Sequence, residues 1–292
     1  MELFLQQIFN GLVMGSTYAI VSVGFALAFT VLRIINFAHP EVFMIGMFAG
    51  LVAGNYFPGG GLLVAMLMGA VVAGLIGAIA EKTIIRPLHG KDILMTLVAT
   101  MGLAIILQNG MAVIFGPDPV SYPKFYDNNS ISFFQFTLPT GQLINLATCI
   151  LLLAFVSFYV RGTKIGRLTR AIAELPDVSA AFGVNVKRVC QITILIASIM
   201  AGIAAVSVGN LYGSASAFVG LYFGLKAFIC MLVAGNRYFE GAAVVAVALG
   251  ITEALVTGYI SSGLRDVVAF SILIIVLYIR PNGIFGSFGT KV

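Results

Sequence analysis

Long apolar segments recur through the whole chain and constrain its fold more than any other feature. Of the 292 residues, 60% are hydrophobic and only 9% are charged, whereas soluble domains carry roughly 25% charged residues. A water-soluble fold of this length cannot bury so much apolar surface, but a lipid bilayer accommodates it. The composition therefore excludes a soluble globular protein and predicts an integral membrane protein.

The apolar segments have the length of membrane spans. A helix needs about 20 apolar residues to cross the hydrocarbon core of a bilayer, and charges, prolines and polar clusters divide this chain into nine such segments. They are residues 8–32, 39–54, 62–80, 93–115, 143–160, 189–210, 217–235, 242–260 and 267–279. We expect one all-α domain over residues 1–292, a polytopic bundle of about eight or nine transmembrane helices, with the short second and ninth segments tilted, broken or interfacial.

The basic residues indicate how the chain is oriented. Lys and Arg close to span ends stay on the cytoplasmic side, and alternate threading of nine spans leaves only Lys124 and Arg265 outside. The basic residues on the other side are Arg33, Lys82, Arg86, Lys91, Arg161, Lys164, Arg167, Arg170, Lys187, Arg188, Arg237, Arg280 and Lys291. This pattern predicts a multi-pass protein of the cytoplasmic (inner) membrane, with its N-terminus outside and its C-terminus in the cytoplasm.

Glycines recur at every fourth residue in two of the segments. They are Gly11 and Gly15 in the first segment, and Gly46, Gly50 and Gly54 in the second. Glycines at this spacing let the backbones of neighbouring helices approach closely in lipid. We interpret them as helix-packing residues of a compact bundle.

A short repeat relates the first and sixth segments. Residues 19–24, AIVSVG, resemble residues 204–209, AAVSVG. Five spans separate the two copies, so they would run in opposite directions, as in the inverted repeats of many transporters.

Residues 161–188 form the longest predicted cytoplasmic connection. Pro176 should end a first helix, after which Asp177 can cap a short helix over residues 178–182 that Gly183 terminates. So short a helix is unstable alone and would need a partner to dock against; the alternative is an ordinary solvated connection. The candidate docking residues are Asp177, Val178, Ser179, Ala180, Ala181, Phe182 and Gly183.

Residues 116–142 form the predicted external loop. Apolar and polar residues alternate over 130–139, a pattern typical of a strand or hairpin. Such a hairpin could receive an external protein or simply cover the helix ends.

Polar residues inside the spans are costly and each needs a reason. Asn36, His39 and Glu41 lie within six residues of one another, and Pro40 disfavours helix at His39. Non-helical backbone at membrane depth is tolerated only inside protein or beside a water-filled cavity, so these three are candidate pathway residues, with a satisfied buried histidine as the alternative. Glu253 is the other isolated carboxylate, and it could pair across the bundle or line a pathway.

Several function classes lack their sequence signatures. The chain has no GxxxxGK[ST] phosphate loop, no HExxH or GxSxG motif and no convincing acid–base pair. Its three cysteines have no metal-ligand or disulfide spacing, and its basic clusters form no long face for nucleic acid. An Arg-rich voltage sensor and a potassium filter are also missing. These absences argue against an intramembrane enzyme, a voltage sensor and a potassium channel.

Five motifs occur in an order that points to one family. They are residues 11–24 (GLVMGSTYAIVSVG), 36–41 (NFAHPE), 86–90 (RPLHG), 170–185 (RAIAELPDVSAAFGVN) and 280–286 (RPNGIFG). Together they resemble the permease subunits of branched-chain amino acid ABC importers, and the resemblance covers almost the whole chain.

The resemblance implies a set of partners. They would be a second, homologous permease, two cytoplasmic ATP-binding subunits and a periplasmic or extracellular solute-binding protein. ATP and Mg would be bound by the ATP-binding subunits, so this chain would carry no cofactor and no catalytic site of its own. Residues 180–183 (AAFG) match the core of the family's ATPase-coupling segment, which favours docking over a solvated connection.

Two departures from the family pattern bear on the transported solute. Pro40 replaces the glycine that usually follows the histidine, and residues 234–241, with Arg237 and Glu240, replace a glycine-rich turn. Import of branched-chain amino acids through half of a heteromeric pathway remains the leading hypothesis, with other amino acids, amides, urea and organic acids open. The rivals are a stand-alone carrier that uses Glu41, His39 or Glu253 for ion coupling, and a passive channel subunit.

Overall fold

The computed structural model describes residues 2–32, 35–88, 91–126, 130–133, 136–235 and 239–285. Its helices are α1 (Glu2–Leu32), α2 (His39–Tyr56), α3 (Gly61–Ala80), α4 (Arg86–Leu88), α5 (Ile93–Phe115), α6 (Thr140–Gly162), α7 (Lys164–Glu174), α8 (Pro176–Ala181), α9 (Val186–Tyr212), α10 (Val219–Ala234), α11 (Phe239–Tyr259) and α12 (Arg265–Ile279). A π-helical turn, Glu81–Ile85, joins α3 to α4. The strands are β1 (Val120–Ser121), β2 (Ser130–Phe133), β3 (Phe136–Pro139) and β4 (Ser214–Ala215).

The prediction of an all-α polytopic bundle is confirmed. Within the described ranges, seven helices are long and apolar enough to cross a membrane, and α10 is a shorter apolar helix. The second predicted segment is α2, which is less apolar because its first turn carries His39, Pro40 and Glu41. The ninth segment is α12, a helix of 15 residues.

Small residues allow the closest approaches between helices. The most extensive packing joins α1 to α11 and α3 to α9. A Cβ atom added to Gly15 would lie 2.7 Å from Val247 Cα of α11, and one added to Gly46 would lie 2.6 Å from Gly202 Cα of α9. Gly54 instead faces Pro123 of the loop after α5. Close backbone packing of this kind replaces the hydrophobic effect as the force between helices in lipid.

Hydrogen bonds give the relative directions of three central helices. They are Gln142–Asn10 and Asn145–Thr17 between α6 and α1, and Asn145–Ser207 and Tyr159–Thr193 between α6 and α9. The first pair shows that α6 runs parallel to α1, and the second that α6 runs antiparallel to α9. The segments 19–24 and 204–209 therefore run in opposite directions, as an inverted repeat requires.

The loop between α5 and α6 contains the predicted hairpin. Strands β2 and β3 pair antiparallel, with Ser130 opposite Pro139. Strand β1 of the same loop pairs with β4, which follows α9, and the Tyr122 hydroxyl donates to the carbonyl oxygen of Met47 at 3.0 Å. These contacts tie the loop to one end of the bundle, which we call the hairpin end.

The opposite end of the bundle holds α7 and α8. Ile85 at the end of the π-helical turn, Ile172 of α7 and Val189 of α9 form a small apolar core there. Arg161 of α6 pairs with Glu240 of α11. We call this the α8 end. Three of the basic residues used for the orientation, Arg33, Arg237 and Lys291, lie outside the described residues, as do residues 89–90 and 286 of the family motifs.

The connection 161–188 folds close to expectation, with one correction. Helix α7 ends at Glu174, and Gly183 has the positive φ of 81° expected after a helix end. The short helix α8 begins at Pro176 rather than at residue 178, because proline at a helix start needs no N–H partner and has a suitable φ. Asp177 therefore lies in the first turn of α8 and is not its N-cap.

Prediction for the glycine contacts. We expect Gly46→Ala to lower the thermal stability of the detergent-purified protein, since the new Cβ would force α2 and α9 apart, at a typical overpacking cost of about 1–3 kcal/mol. Gly102→Ala is the matched control, because a Cβ there meets no atom within 4 Å. Equal melting temperatures for the two variants, measured by size-exclusion recovery after heating, would contradict the role assigned to Gly46.

Candidate functional site

The connection between α1 and α2 returns deep into the bundle before α2 begins. His39 lies against Gly24, which is eight residues, or roughly 12 Å, before the end of α1. The backbone N–H of Phe37 donates to the Thr100 hydroxyl at 3.4 Å, and Thr100 lies roughly 10 Å along α5 from its start. The first turn of α2 is therefore held inside the bundle, far from the end of α1 and from the start of α5.

The backbone break lies before His39 and not at it, which corrects the expectation from the sequence. His39 is the first residue of α2, and Pro40 occupies the first turn, where a proline stabilises a helix start. The side-chain Oδ1 of Asn36 accepts a hydrogen bond from Ala38 N at 3.1 Å, and the backbone carbonyl oxygen of Asn36 accepts one from His39 N at 3.2 Å. Asn36 thus shapes the turn that precedes α2.

Glu41 and His39 are buried without polar partners in the described part of the chain. Glu41 is 3% exposed and its Oε2 has no hydrogen bond, and the same is true of His39 Nε2. The His39 ring packs edge-on to Phe25, with 5.4 Å between ring centroids. Gly220 at the start of α10 faces the Glu41 carboxylate, and Gly224 faces Pro40. The two glycines let the start of α10 lie directly against the start of α2.

A cavity opens beside Glu41. It lies between α5, α10 and the first turn of α2. Met101 and Ile105 of α5 and Leu221 and Leu225 of α10 give it mainly apolar walls. Its side-chain polar groups come from Glu41 and from residue 108 of α5, a glutamine. A mainly apolar cavity with few polar groups is typical of a small-molecule site.

Glu253 lies at the centre of a second polar cluster, which we call the Glu253 cluster: Tyr18, Tyr222, Lys226, Glu253, Arg265 and Asp266. Glu253 is 0% exposed. Its Oε1 is 2.8 Å from Lys226 Nζ, and its Oε2 is 2.6 Å from Arg265 Nε. The Tyr18 hydroxyl donates to Oε2 at 3.0 Å and accepts from Arg265 Nη2 at 2.7 Å. Both carboxylate oxygens are therefore satisfied.

The Glu253 cluster balances its charges. Lys226 Nζ is also 3.0 Å from the half-exposed Asp266 carboxylate and lies 4.6 Å from the centroid of the Tyr222 ring. Two cations thus face two anions, and an aromatic ring shields one of the cations. The cluster lies roughly 9 Å below the end of α11 at the hairpin end, because Glu253 precedes Tyr259 by six residues.

The five members of the Glu253 cluster other than Glu253 itself were not identified from the sequence as site residues. Lys226 carried a usable signal, since it is a charged residue inside the apolar segment 217–235. Arg265 was assigned only to a connection between spans. Tyr18 gives no local signal, because it is one of many aromatic residues within apolar helices.

The tip of α8 is an exposed apolar surface, which we call the α8 tip: Leu175, Val178 and Phe182. Phe182 is 85% exposed, whereas Ser179 is buried and holds α8 to the bundle. The Ser179 carbonyl oxygen accepts from Val184 N at 3.1 Å. Asp177, Ala180, Ala181 and Gly183 are all exposed around the tip. Among the described residues, no group of three or more His, Cys, Asp or Glu side chains is arranged to hold a metal ion.

Comparison with known proteins identifies the family. Residues 7–277 match the family described as branched-chain amino acid transport system, permease component. The chain belongs to this family of ABC permeases, and it is a multi-pass membrane subunit rather than the ATPase.

Several curated relatives are similar over nearly their whole length. The high-affinity branched-chain amino acid transport system permease protein LivH of Escherichia coli K12 is 34% identical, over 97% of this chain and 96% of the relative. The corresponding permease protein BraD of Pseudomonas aeruginosa is 30% identical over the same shares. A LivH relative from Methanocaldococcus jannaschii is 24% identical over 95% of this chain and 91% of the relative.

A solved structure shares the fold. It is a metal-chelate type ABC transporter in an inward-facing conformation, with a TM-score of 0.50 and 15% sequence identity. The similarity covers 95% of this chain and 87% of the solved chain.

Prediction for the Glu253 cluster. We expect Lys226→Met to lower the free energy of unfolding by about 3–5 kcal/mol, since it leaves Glu253 buried with one of its two cations. Adding Glu253→Gln should recover part of that loss, because one anion, Asp266, then faces one cation, Arg265, and the charges of the cluster balance again. The measurement is a double-mutant cycle on thermal stability in detergent.

A surface ion pair provides the comparison. Arg161 is largely exposed and Glu240 partly exposed, so Arg161→Ala should cost less than about 1 kcal/mol. A Lys226→Met variant as stable as Arg161→Ala would show that the Glu253 cluster contributes little to the fold.

Proposed function

We propose that this chain is the transmembrane permease of a binding-protein-dependent ABC importer for amino acids, with the branched-chain amino acids as first candidates. The observation that carries the proposal is the family match over residues 7–277. The exposed α8 tip supports it, because a membrane subunit without its own phosphate loop needs a surface on which a separate ATPase can act.

The α8 tip is the proposed ATPase-coupling surface. Phe182, Leu175 and Val178 are the exposed large apolar side chains of α8 and its flanks. Apolar anchors with little surrounding charge are the usual centre of a protein–protein contact. Helix α8 follows α7 directly and rests on α9, so force applied at the tip reaches two helices of the bundle. ATP binding and hydrolysis in the partner would then switch the pathway between its two openings.

The proposed orientation follows from this coupling role. The α8 end faces the cytoplasm, where the ATP-binding subunits lie, and the N-terminus lies outside. The hairpin end then faces the solute-binding protein. The grouping of Lys164, Arg167 and Arg170 on α7 supports this orientation, because basic residues favour the cytoplasmic side.

The proposed assembly contains a second permease. Helices α5 and α12 have only 6% of their spanning windows buried, so they offer long apolar faces to a partner or to lipid. We expect a homologous permease to complete the pathway along such a face. The two ATP-binding subunits would bind the nucleotide and Mg, and this chain would perform no chemistry.

The Glu253 cluster bears on the rival carrier hypothesis. An ion-coupling carboxylate has to gain and lose a proton or cation during each cycle. Glu253 contacts Lys226 and Arg265 through both oxygens, and this geometry favours a permanently paired structural role. We therefore assign Glu253 to the support of the bundle and not to ion coupling.

Prediction for the assembly. We expect mild-detergent purification from the native host to recover a P-loop ATPase and a second polytopic permease with this chain, identified by mass spectrometry. Proteoliposomes of that complex, supplied with its binding protein, should accumulate radiolabelled leucine only with ATP. Repeated recovery of this chain alone, with uptake driven by an ion gradient, would establish the carrier instead.

Prediction for the α8 tip. We expect Phe182→Ala to weaken ATPase binding, read as co-purification, by about thirtyfold or more, because a central apolar anchor is typically worth about 2 kcal/mol or more. Folding should be unaffected, since Phe182 is 85% exposed. Phe158→Ala removes a phenyl ring that is also largely exposed but lies on α6, four residues before its end, and not on α8 or its flanks. It should leave the ATPase bound. Undiminished ATPase binding by Phe182→Ala would exclude the tip as the coupling surface.

A further inference from the structure

We propose that the cavity beside Glu41 binds the transported amino acid, with the Glu41 carboxylate as the counter-charge of its α-ammonium group. The inference rests on the proposed function and deepens it, since it assigns the chemistry by which this subunit recognises the solute.

Glu41 is exceptional among the buried carboxylates. The described residues contain three of them, Glu41, Glu81 and Glu253. Glu81 binds the guanidinium of Arg86 at 3.0 and 3.1 Å, and Glu253 has its two cations. Glu41 alone of the three has an oxygen with no partner. A buried carboxylate without a partner is costly, so its position beside a cavity indicates a partner that binds and leaves.

The local backbone favours a negative charge at Glu41. The residue lies in the first turn of α2, where the helix dipole stabilises an anion. The start of α10 lies against the same side chain at Gly220, where an added Cβ would be only 2.6 Å from Glu41 Oε2. Two helix starts thus converge on one carboxylate inside the bundle, and glycine at position 220 keeps the space that the carboxylate occupies.

The remaining walls suit an aliphatic solute. Met101, Ile105, Leu221 and Leu225 offer apolar surface within the same cavity as Glu41. A ligand that satisfies both features has a primary ammonium group and a hydrocarbon side chain. An organic acid without an ammonium group would bring its carboxylate towards Glu41 and be repelled. The cavity therefore favours aliphatic amino acids over the organic acids, urea and amides that the sequence leaves open.

Cysteine labelling in the purified complex tests the proposal directly. Leu221→Cys places a thiol in the cavity wall, while the native Cys149, Cys190 and Cys230 are all buried. The probes are a cationic trimethylammonium-ethyl and an anionic sulfonato-ethyl methanethiosulfonate. We expect the cationic probe to react about tenfold faster, because Glu41 attracts it and repels the anion.

Two further measurements identify the ligand chemistry. Leucine should slow labelling of Leu221→Cys, whereas its α-hydroxy analogue, which lacks the ammonium group, should not.

Glu41→Gln should remove both the probe preference and the protection, and should lower leucine uptake about tenfold. Glu41→Asp, which keeps the charge, should retain the probe preference. Ile106→Cys, on the exposed face of α5 beside a cavity residue, should show neither effect.

The outcomes separate this proposal from the function on which it rests. If the wild-type complex shows no ATP-dependent uptake, the importer assignment fails whatever the labelling shows. If the wild-type complex transports leucine but Leu221→Cys shows neither probe preference nor leucine protection, the site is wrong and the importer stands. Because that labelling is measured with Glu41 intact, a Glu41→Gln variant that fails to assemble does not remove the test.

Discussion

Close backbone contact across glycines is the constraint on which the rest of the structure depends. Apolar side chains gain nothing by leaving lipid for a helix interface, so helices associate through tight packing and polar contacts. Gly11 and Gly15 let α1 pack directly against α11, and Gly46 lets α2 pack directly against Gly202 of α9. Helix α1 becomes the buried centre of the bundle, with 83% of its spanning window covered. Its Tyr18 hydroxyl then needs a partner inside the protein, which Glu253 and Arg265 supply.

The same packing places one buried carboxylate between two cations and leaves another without a partner. Glu253 is reached by cations from α10 and α12 and is neutralised in place. Glu41 is approached by the start of α10 through Gly220, which brings no side chain and no charge. A buried ion pair holds helices in a defined arrangement, whereas an unpaired buried carboxylate beside a cavity is available to a ligand. One bundle thus contains a closed polar cluster towards the hairpin end and an open one at the start of α2.

Two local errors in the prediction share one physical cause. From the sequence, Pro40 and Pro176 were treated as residues that break or end a helix. In the structure each lies in the first turn of a new helix. The missing N–H that breaks a helix interior costs nothing in the first turn, and the fixed φ favours it. A proline starts a new helix where residues close before it have left the helical conformation, as Leu175 has before Pro176. Before Pro40 they are held in a turn by Asn36 and Thr100, which no local pattern indicates.

The sequence by itself determined the membrane class, the nine helical segments, the hairpin and the short helix after α7, because hydropathy, alternation and helix-end residues act over a few neighbouring positions. It also contained the order of motifs that marks the family. Only the tertiary structure decided which charges meet. Glu253 lies 27 positions from Lys226 and 235 from Tyr18, and helix packing, not sequence spacing, brings them together. The unpaired state of Glu41 is likewise a property of the packed bundle, since it depends on the glycine that α10 places beside it.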